Sequence, residues 1–207
     1  MLEKLACFSA EHKADEQLNI ELAIKLCESE DKAGIKEIVV GLTSKKDIAN
    51  DCIKVLYEIG ERKPLLIKDY ADNFLKLLTS KNNRLVWGGM TALGTIAEYN
   101  ANELFKNLDT ILSAYKNGSV ITIDHSITVL AKICKKDKKY EEKIFPILIN
   151  HLETCRIKEI PQHAERMLLC INNNNKNEFL KVLNNKKQFF TQSQLKRINK
   201  IIKNLEE

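Results

Sequence analysis

Four apolar segments of this chain repeat one another: DIANDCIKVLYEIG (47–60), RLVWGGMTALGTIA (84–97), ITIDHSITVLAKIC (121–134) and IPQHAERMLLCI (160–171). Superposing Leu56, Leu93, Leu130 and Leu168 spaces them by 37, 37 and 38 residues, and the same register stacks Ile59, Ile96, Ile133 and Ile171. Cys52, Gly89, Ser126 and Ala164 then form a column of small residues. A second segment precedes each and keeps step: IKEIVVGL (35–42), NFLKLLTS (73–80), TILSAYKN (110–117) and PILINHLE (146–153), aligned through Ile38, Leu75, Leu112 and Ile149. Apolar residues three and four apart mark each segment as an amphipathic helix. Polar turns such as TSKKD, TSKNN and KNGS separate the two helices of a pair. A lone pair of this kind cannot bury its apolar flank, so a fixed period restricts the chain to a stack of helical hairpins.

Composition agrees. Three Pro and seven Gly in 207 residues are too few for a sandwich or barrel built on tight turns, and 44% apolar with 29% charged residues is the balance of a folded soluble chain. No stretch approaches the roughly 20 apolar residues of a membrane span. In MLEKLACFSAEHK the charges of Glu3 and Lys4 interrupt what an export signal keeps apolar, which predicts a cytoplasmic protein. The six cysteines (7, 27, 52, 134, 155 and 170) include no CxxC pair and read as small buried hydrophobes in a reducing compartment. Charge is uneven: residues 1–51 carry 7 Lys and Arg against 11 Asp and Glu, whereas residues 172–207 carry 8 against 3.

The ends are less regular. Residues 2–8 and 14–28 read as a helical pair that makes 1–30 an N-terminal capping hairpin. Residues 31–171 hold four repeats of about 37 residues, and 172–207 form a C-terminal cap in which NNNNKN is a loop before helices at 178–185 and 191–204. Asn100 with Glu103, flanked by Tyr99 and Leu104, has the form of a capping box with a hydrophobic staple; so does Thr191 with Gln194, flanked by Phe190 and Leu195. Pro146 is expected in or just past the first turn of its helix. The whole is expected to be one all-α domain, a right-handed α-solenoid of five to six stacked helical hairpins.

A two-helix unit of this length with a leucine-rich second helix resembles the HEAT/armadillo repeat family over roughly residues 31–204, on the Leu75/Leu112 and Leu56/Leu93/Leu130/Leu168 columns. The family's frequent first-helix proline and its Asp/Arg pair after the turn are echoed here only by Pro146 and Asp47. The resemblance implies that first helices lie outside and second helices line an inner, concave face. The second-helix positions outside the core columns are then the candidate binding surface. One column holds Asn50, Trp87, Asp124 and Gln162; the next Asp51, Gly88, His125 and His163; and, a turn later, Lys54, Thr91, Thr128 and Arg166. Gly89 falls in the small-residue column, where helices approach closely, and Gly88 is expected to leave space beside Trp87. Trp87 itself reads either as a filler between repeats or as a docking residue.

Nothing in the chain supplies a nucleophile elbow, an oxyanion device or a phosphate loop. GGMTALG lacks the following Lys-Ser/Thr and lies on a helix. The spacing of His125 and His163 has no specificity as a metal motif, so no enzyme activity, cofactor or metal is expected. The reading is a protein-interaction scaffold with a protein or peptide partner on its concave face. The alternative is nucleic-acid binding, because some helical-repeat proteins resembling this one are glycosylases for alkylated DNA bases that use inner tryptophans and an aspartate. Trp87 and Asp124 would take those parts, but that family's second tryptophan is absent, and the inner columns offer only Lys54, Lys132 and Arg166 as cations.

Overall fold

The computed structural model describes Leu5 and residues 16–206, and among these it contains eleven α-helices, five short 3-10 turns and no strand. The helix expected over 2–8 falls, Leu5 apart, outside the described residues, as does Cys7. The helices are α1 (Gln17–Ser29), α2 (Lys32–Gly41), α3 (Lys46–Arg62), α4 (Ala71–Leu77), α5 (Asn83–Lys106) and α6 (Leu108–Asn117). They continue as α7 (Val120–Lys136), α8 (Lys138–Thr154), α9 (Ile160–Met167), α10 (Lys176–Lys186) and α11 (Gln192–Glu206).

The chain forms two compact units, Met1–Ser126 and Ile127–Glu207. In the first, α2 packs on α3 and α4 on α5 as hairpins, and the second helices stack in the order α1, α3, α5. In the second, α8 packs on α9 and α10 on α11, with α8 against α10 and α9 against α11. This is the nearest-neighbour stacking that the period calls for.

Side chains close several helix starts. Asp31 accepts a bond from the Gly34 amide at 2.9 Å, Asn82 from Arg84 at 3.1 Å, and Asp137 from Lys139 at 2.8 Å. At α11 the capping box is reciprocal: the Thr191 amide donates to Gln194 Oε1 at 2.9 Å, and the Gln194 amide to Thr191 Oγ1 at 3.4 Å. Asn100 behaves differently. Its amide group donates to Glu103 Oε2 and to the Lys68 carbonyl, both at 3.0 Å, and its backbone leaves the helical region (φ −113°, ψ 18°). Two helices meet across this kink, so a new helix does start after Asn100 as the sequence predicts, and the two together make up the span of α5 as far as Lys106.

Two further expectations need correction. Pro146 sits in the interior of α8, which begins at Lys138. An interior proline costs about 3 kcal/mol. The burial of Ile144, Phe145, Leu148, Ile149 and Leu152, at about 1.5–3 kcal/mol each, outweighs it. The fourth repeat is also registered one residue off. Leu56, Leu93 and Leu130 are fully buried, but Leu168 is only half-buried, and Met167 fills the equivalent core position. Likewise Cys170, and not Ile171, continues the buried column of Ile59, Ile96 and Ile133. The reason is local. After Met167 the chain tightens into a 3-10 turn, Leu168–Cys170, in which residues three apart eclipse. Met167 and Cys170 therefore face the core together, and the period is a constant 37 throughout.

The asparagine run is an ordered turn. Asn172 and Asn175 donate to the two carboxylate oxygens of Glu141 on α8, at 3.1 and 2.9 Å, and Asn175 also donates to the Cys170 carbonyl at 3.0 Å. Asn175 Oδ1 takes the Asn172 amide, and Asn172 Oδ1 takes the Asn174 amide, both at 2.9 Å. Side chains that would loosen a helix serve here to hold a tight connection.

Candidate functional site

The glycine pair in α5 shows how the second helices are set. A Cβ on Gly88 would lie 2.7 Å from Ile53 Cγ1 on α3, and one on Gly89 would lie 3.0 Å from Leu77 Cβ and 3.1 Å from the Phe74 carbonyl oxygen on α4. Each glycine thus serves a different neighbour: Gly89 the partner within its hairpin, Gly88 the second helix of the preceding one. Gly88 is buried and opens no space beside Trp87, contrary to expectation.

Trp87 lies at the rim of this contact, half-buried. Its ring is tilted against Tyr57 of α3, with centroids 5.9 Å apart. The Arg84 guanidinium stands 4.9 Å from the indole centroid, and Lys54 Nζ 4.9 Å from the Tyr57 centroid. Both cations are neutralised. Glu16, just before α1, accepts from Arg84 and pairs with Lys54 at 3.2 Å, and Glu58 accepts from Lys54 at 2.7 Å and from Arg62 at 2.5 Å. Burial raises the pKa of Glu16 and Glu58, but the bonds from Arg84 and Lys54, and from Lys54 and Arg62, overcome it and hold both carboxyls below their usual value. Burial likewise pushes the Tyr57 phenol upward. The result is a layered aromatic–cation–carboxylate cluster built from α3, α5 and the residue that leads into α1.

The other expected residues divide between helix ties and half-buried positions. Asn50 is half-buried, and its Oδ1 accepts from Asn82 Nδ2 at 2.8 Å, tying α3 to the start of α5. Asp51 is buried and accepts from Asn19 of α1 at 2.9 Å. Lys54 and Thr91 are also buried, the threonine hydroxyl donating to the Trp87 carbonyl at 2.8 Å. Asp124 and His125 are half-buried on α7. In the second unit, Thr128 Oγ1 accepts from Arg166 at 2.5 Å, and Gln162 is half-buried.

His163 is the clearest departure, with no exposed surface at all. In the constant 37-residue register it takes the place of Cys52, Gly89 and Ser126, the small-residue column first assigned to Ala164. There it faces the first helix of its hairpin, and its Nδ1 lies 2.8 Å from Nε2 of buried His151 on α8.

Sequence reasoning passes over Glu16, Tyr57, Glu58 and Arg84 around Trp87, and His151 beside His163. The signals available are the four-residue steps of Lys54, Glu58 and Arg62, which place them on one helix face. The cysteines fit their reading as core residues: Cys27, Cys52, Cys134 and Cys170 are buried and Cys155 half-buried. Burial, with Asp51 and Glu37 nearby, pushes the Cys52 thiol up to about 12.

No protein-family model matches the chain, and no curated protein matches its sequence. Solved structures do. An engineered protein from the Northeast Structural Genomics Consortium aligns over 99% of this chain and 96% of its own, with TM-score 0.62 and 17% identity. A designed armadillo repeat protein in complex with the peptide (KR)4 aligns over 98% of this chain and 90% of its own, with TM-score 0.68 and 14% identity. The helices, their pairing and these likenesses together give the chain a HEAT/armadillo-like, all-α helical-repeat fold.

Proposed function

We propose that the chain is a non-catalytic interaction scaffold that holds an extended peptide segment of a protein partner along its second-helix face, the one the family resemblance makes concave. The observation that carries this reading is the column of Asn50, Trp87 and Asp124: three recognition-type side chains, one per repeat, all half-buried in the first unit. Packed helices lie about 8–10 Å apart, the length of about three extended residues, so such a column can meet a peptide at regular intervals. Asn50 Nδ2 can donate to an extended backbone while its Oδ1 stays with Asn82. Asp124 adds a carboxylate to the column, and Trp87 gives a flat apolar surface rimmed by polar groups, which is the composition of an interface hot spot. A basic side chain of the partner would take Arg84's place over the indole, with Glu16 as its counter-charge. The designed armadillo repeat protein with its (KR)4 peptide supports a peptide as the kind of partner.

Nucleic acid is less well served. Lys54 and Arg84, the cations around Trp87, are already paired with Glu16 and Glu58, so phosphate would have to compete with carboxylates. Residues Gln162, His163 and Arg166 contribute less to the reading than the sequence suggests, since His163 is enclosed and Arg166 is bonded to Thr128.

Trp87 is the chain's one tryptophan, so its fluorescence reports directly on the face. Titration with (KR)4 and with acidic and neutral peptides of equal length should shift its emission with one of them. Trp87→Ala, which removes the fluorophore and is therefore compared with the wild type by calorimetry, should weaken that peptide by about 30-fold or more, the effect of a hot spot of at least 2 kcal/mol, while leaving the circular dichroism unchanged. Equal affinity in the variant, or tight duplex DNA binding in a low-salt gel shift, would remove the proposal.

A further inference from the structure

We infer that His151, Cys155 and His163 form a binding site for a divalent metal ion of the zinc class, at the crossing of α8 and α9. His151 and Cys155 are four residues apart, on one face of the end of α8 as it passes into the turn. His163 comes across from α9. One donor atom from each residue lies within 4.8 Å of the other two, and the two imidazole nitrogens are 2.8 Å apart.

The chemistry of the donors selects the ion. Two imidazoles and a thiolate suit zinc and its neighbours, whereas magnesium and calcium require oxygen ligands. Around a tetrahedral zinc, bonds of about 2.0–2.1 Å to nitrogen and 2.3 Å to sulfur place donor atoms roughly 3.3–3.7 Å from one another. The observed separations, from 2.8 Å to no more than 4.8 Å, bracket that range, so side-chain shifts of about 1 Å or less bring all three onto one ion. On binding, the Cys155 thiol gives its proton to solvent and both imidazoles bind as neutral bases. Three protein ligands leave a fourth position for water or a small ligand.

The placement within the repeat is the second, independent observation. At the equivalent crossings of earlier hairpins, Cys52, Gly89 and Ser126 keep the column small. Leu77 is the apolar partner across from Gly89. Among the described residues, only in the fourth repeat does this crossing hold two buried imidazoles in contact. Two polar rings joined by a hydrogen bond stand here where earlier repeats keep small or apolar residues, and an ion shared with Cys155 gives that replacement a use. The site involves none of the residues around Trp87 and rests on none of the reading given to that face.

Titration of the whole, reduced chain with Co2+ tests the assignment. At one equivalent the wild type should develop the thiolate-to-cobalt charge-transfer band and the intense visible bands of a tetrahedral centre, and Zn2+ should bleach them and raise the melting temperature. Cys155→Ser, half-exposed and so harmless to the core, should lose the charge-transfer band and most of the zinc-induced rise. His163→Gln, checked by circular dichroism for its helix content, should lose the tetrahedral bands. A wild type showing neither band nor thermal shift overturns the inference. So does a charge-transfer band that persists in Cys155→Ser, because another cysteine would then be the ligand.

Discussion

A single methyl group decides the character of position 88. In an ordinary helix Gly→Ala gains about 1 kcal/mol of propensity. At Gly88 the added carbon would meet Ile53 Cγ1 at 2.7 Å inside a full core, where overpacking costs about 1–3 kcal/mol. Gly88→Ala should therefore gain nothing and lower stability by up to about 2 kcal/mol in urea denaturation. Combined with Ile53→Ala, it should cost less than the sum of the two single changes, since the second change removes the obstructing atom. Gly89→Ala should also destabilise, because the Phe74 carbonyl, unlike a side chain, has nowhere to move. Two adjacent glycines beside a large aromatic mark a close approach already in the sequence. That each faces a different helix is not legible there, because the direction of Gly88 depends on how α3 and α5 cross.

At the scale of elements, the three- and four-residue spacing of leucines and isoleucines locates nearly every helix, and the small-residue column locates the crossings. The fourth repeat misleads by one residue because MLLCI offers two apolar registers a step apart. Only the change from α to 3-10 winding after Met167 chooses between them. Alanine substitutions read that choice out. Leu93→Ala and Leu130→Ala should each cost on the order of 2–5 kcal/mol, and Met167→Ala a comparable amount, while half-buried Leu168→Ala should cost clearly less. Equal losses at 167 and 168 in chemical denaturation would restore the 38-residue spacing. The aromatic–cation cluster shows the opposite limit of sequence reading. Trp87 is visible as a singular residue, and Arg84, three residues before it on α5, is within reach by helix spacing. Tyr57 and the anchoring Glu16, however, come from separate parts of the chain, and no spacing rule links residues 16 and 84. The asparagine run is legible as a loop, but what fixes it is not: Glu141, some 30 residues earlier, holds it as a tight turn.

Across the whole molecule, charge works locally more than globally. The net charge is +5, yet the carboxylates that matter each have their own cation. Glu165 is held below its usual pKa chiefly by the bidentate bonds from Arg197, at 2.8 and 2.6 Å, and Glu16 and Glu58 by theirs, against the opposing effect of burial. All three titrate in the folded chain below the 4.5 of an unperturbed glutamate. Their contribution to stability is therefore complete above that pH and is lost as pH falls through the folded values. Melting temperatures should drop as pH descends below about 4.5, and Glu58→Gln should flatten part of that dependence, which thermal scans across pH 3–6 would show. No helix among the described residues is long and apolar enough to cross a membrane.

Array proteins built from separate hairpins can lose a terminal unit like a bead from a string. Here the chain carries a built-in joint inside α5, because two helices meet at Asn100 across a residue whose backbone is not helical. The Asn100 amide group, donating to the Lys68 carbonyl and to Glu103, is the latch that keeps the joint at one angle.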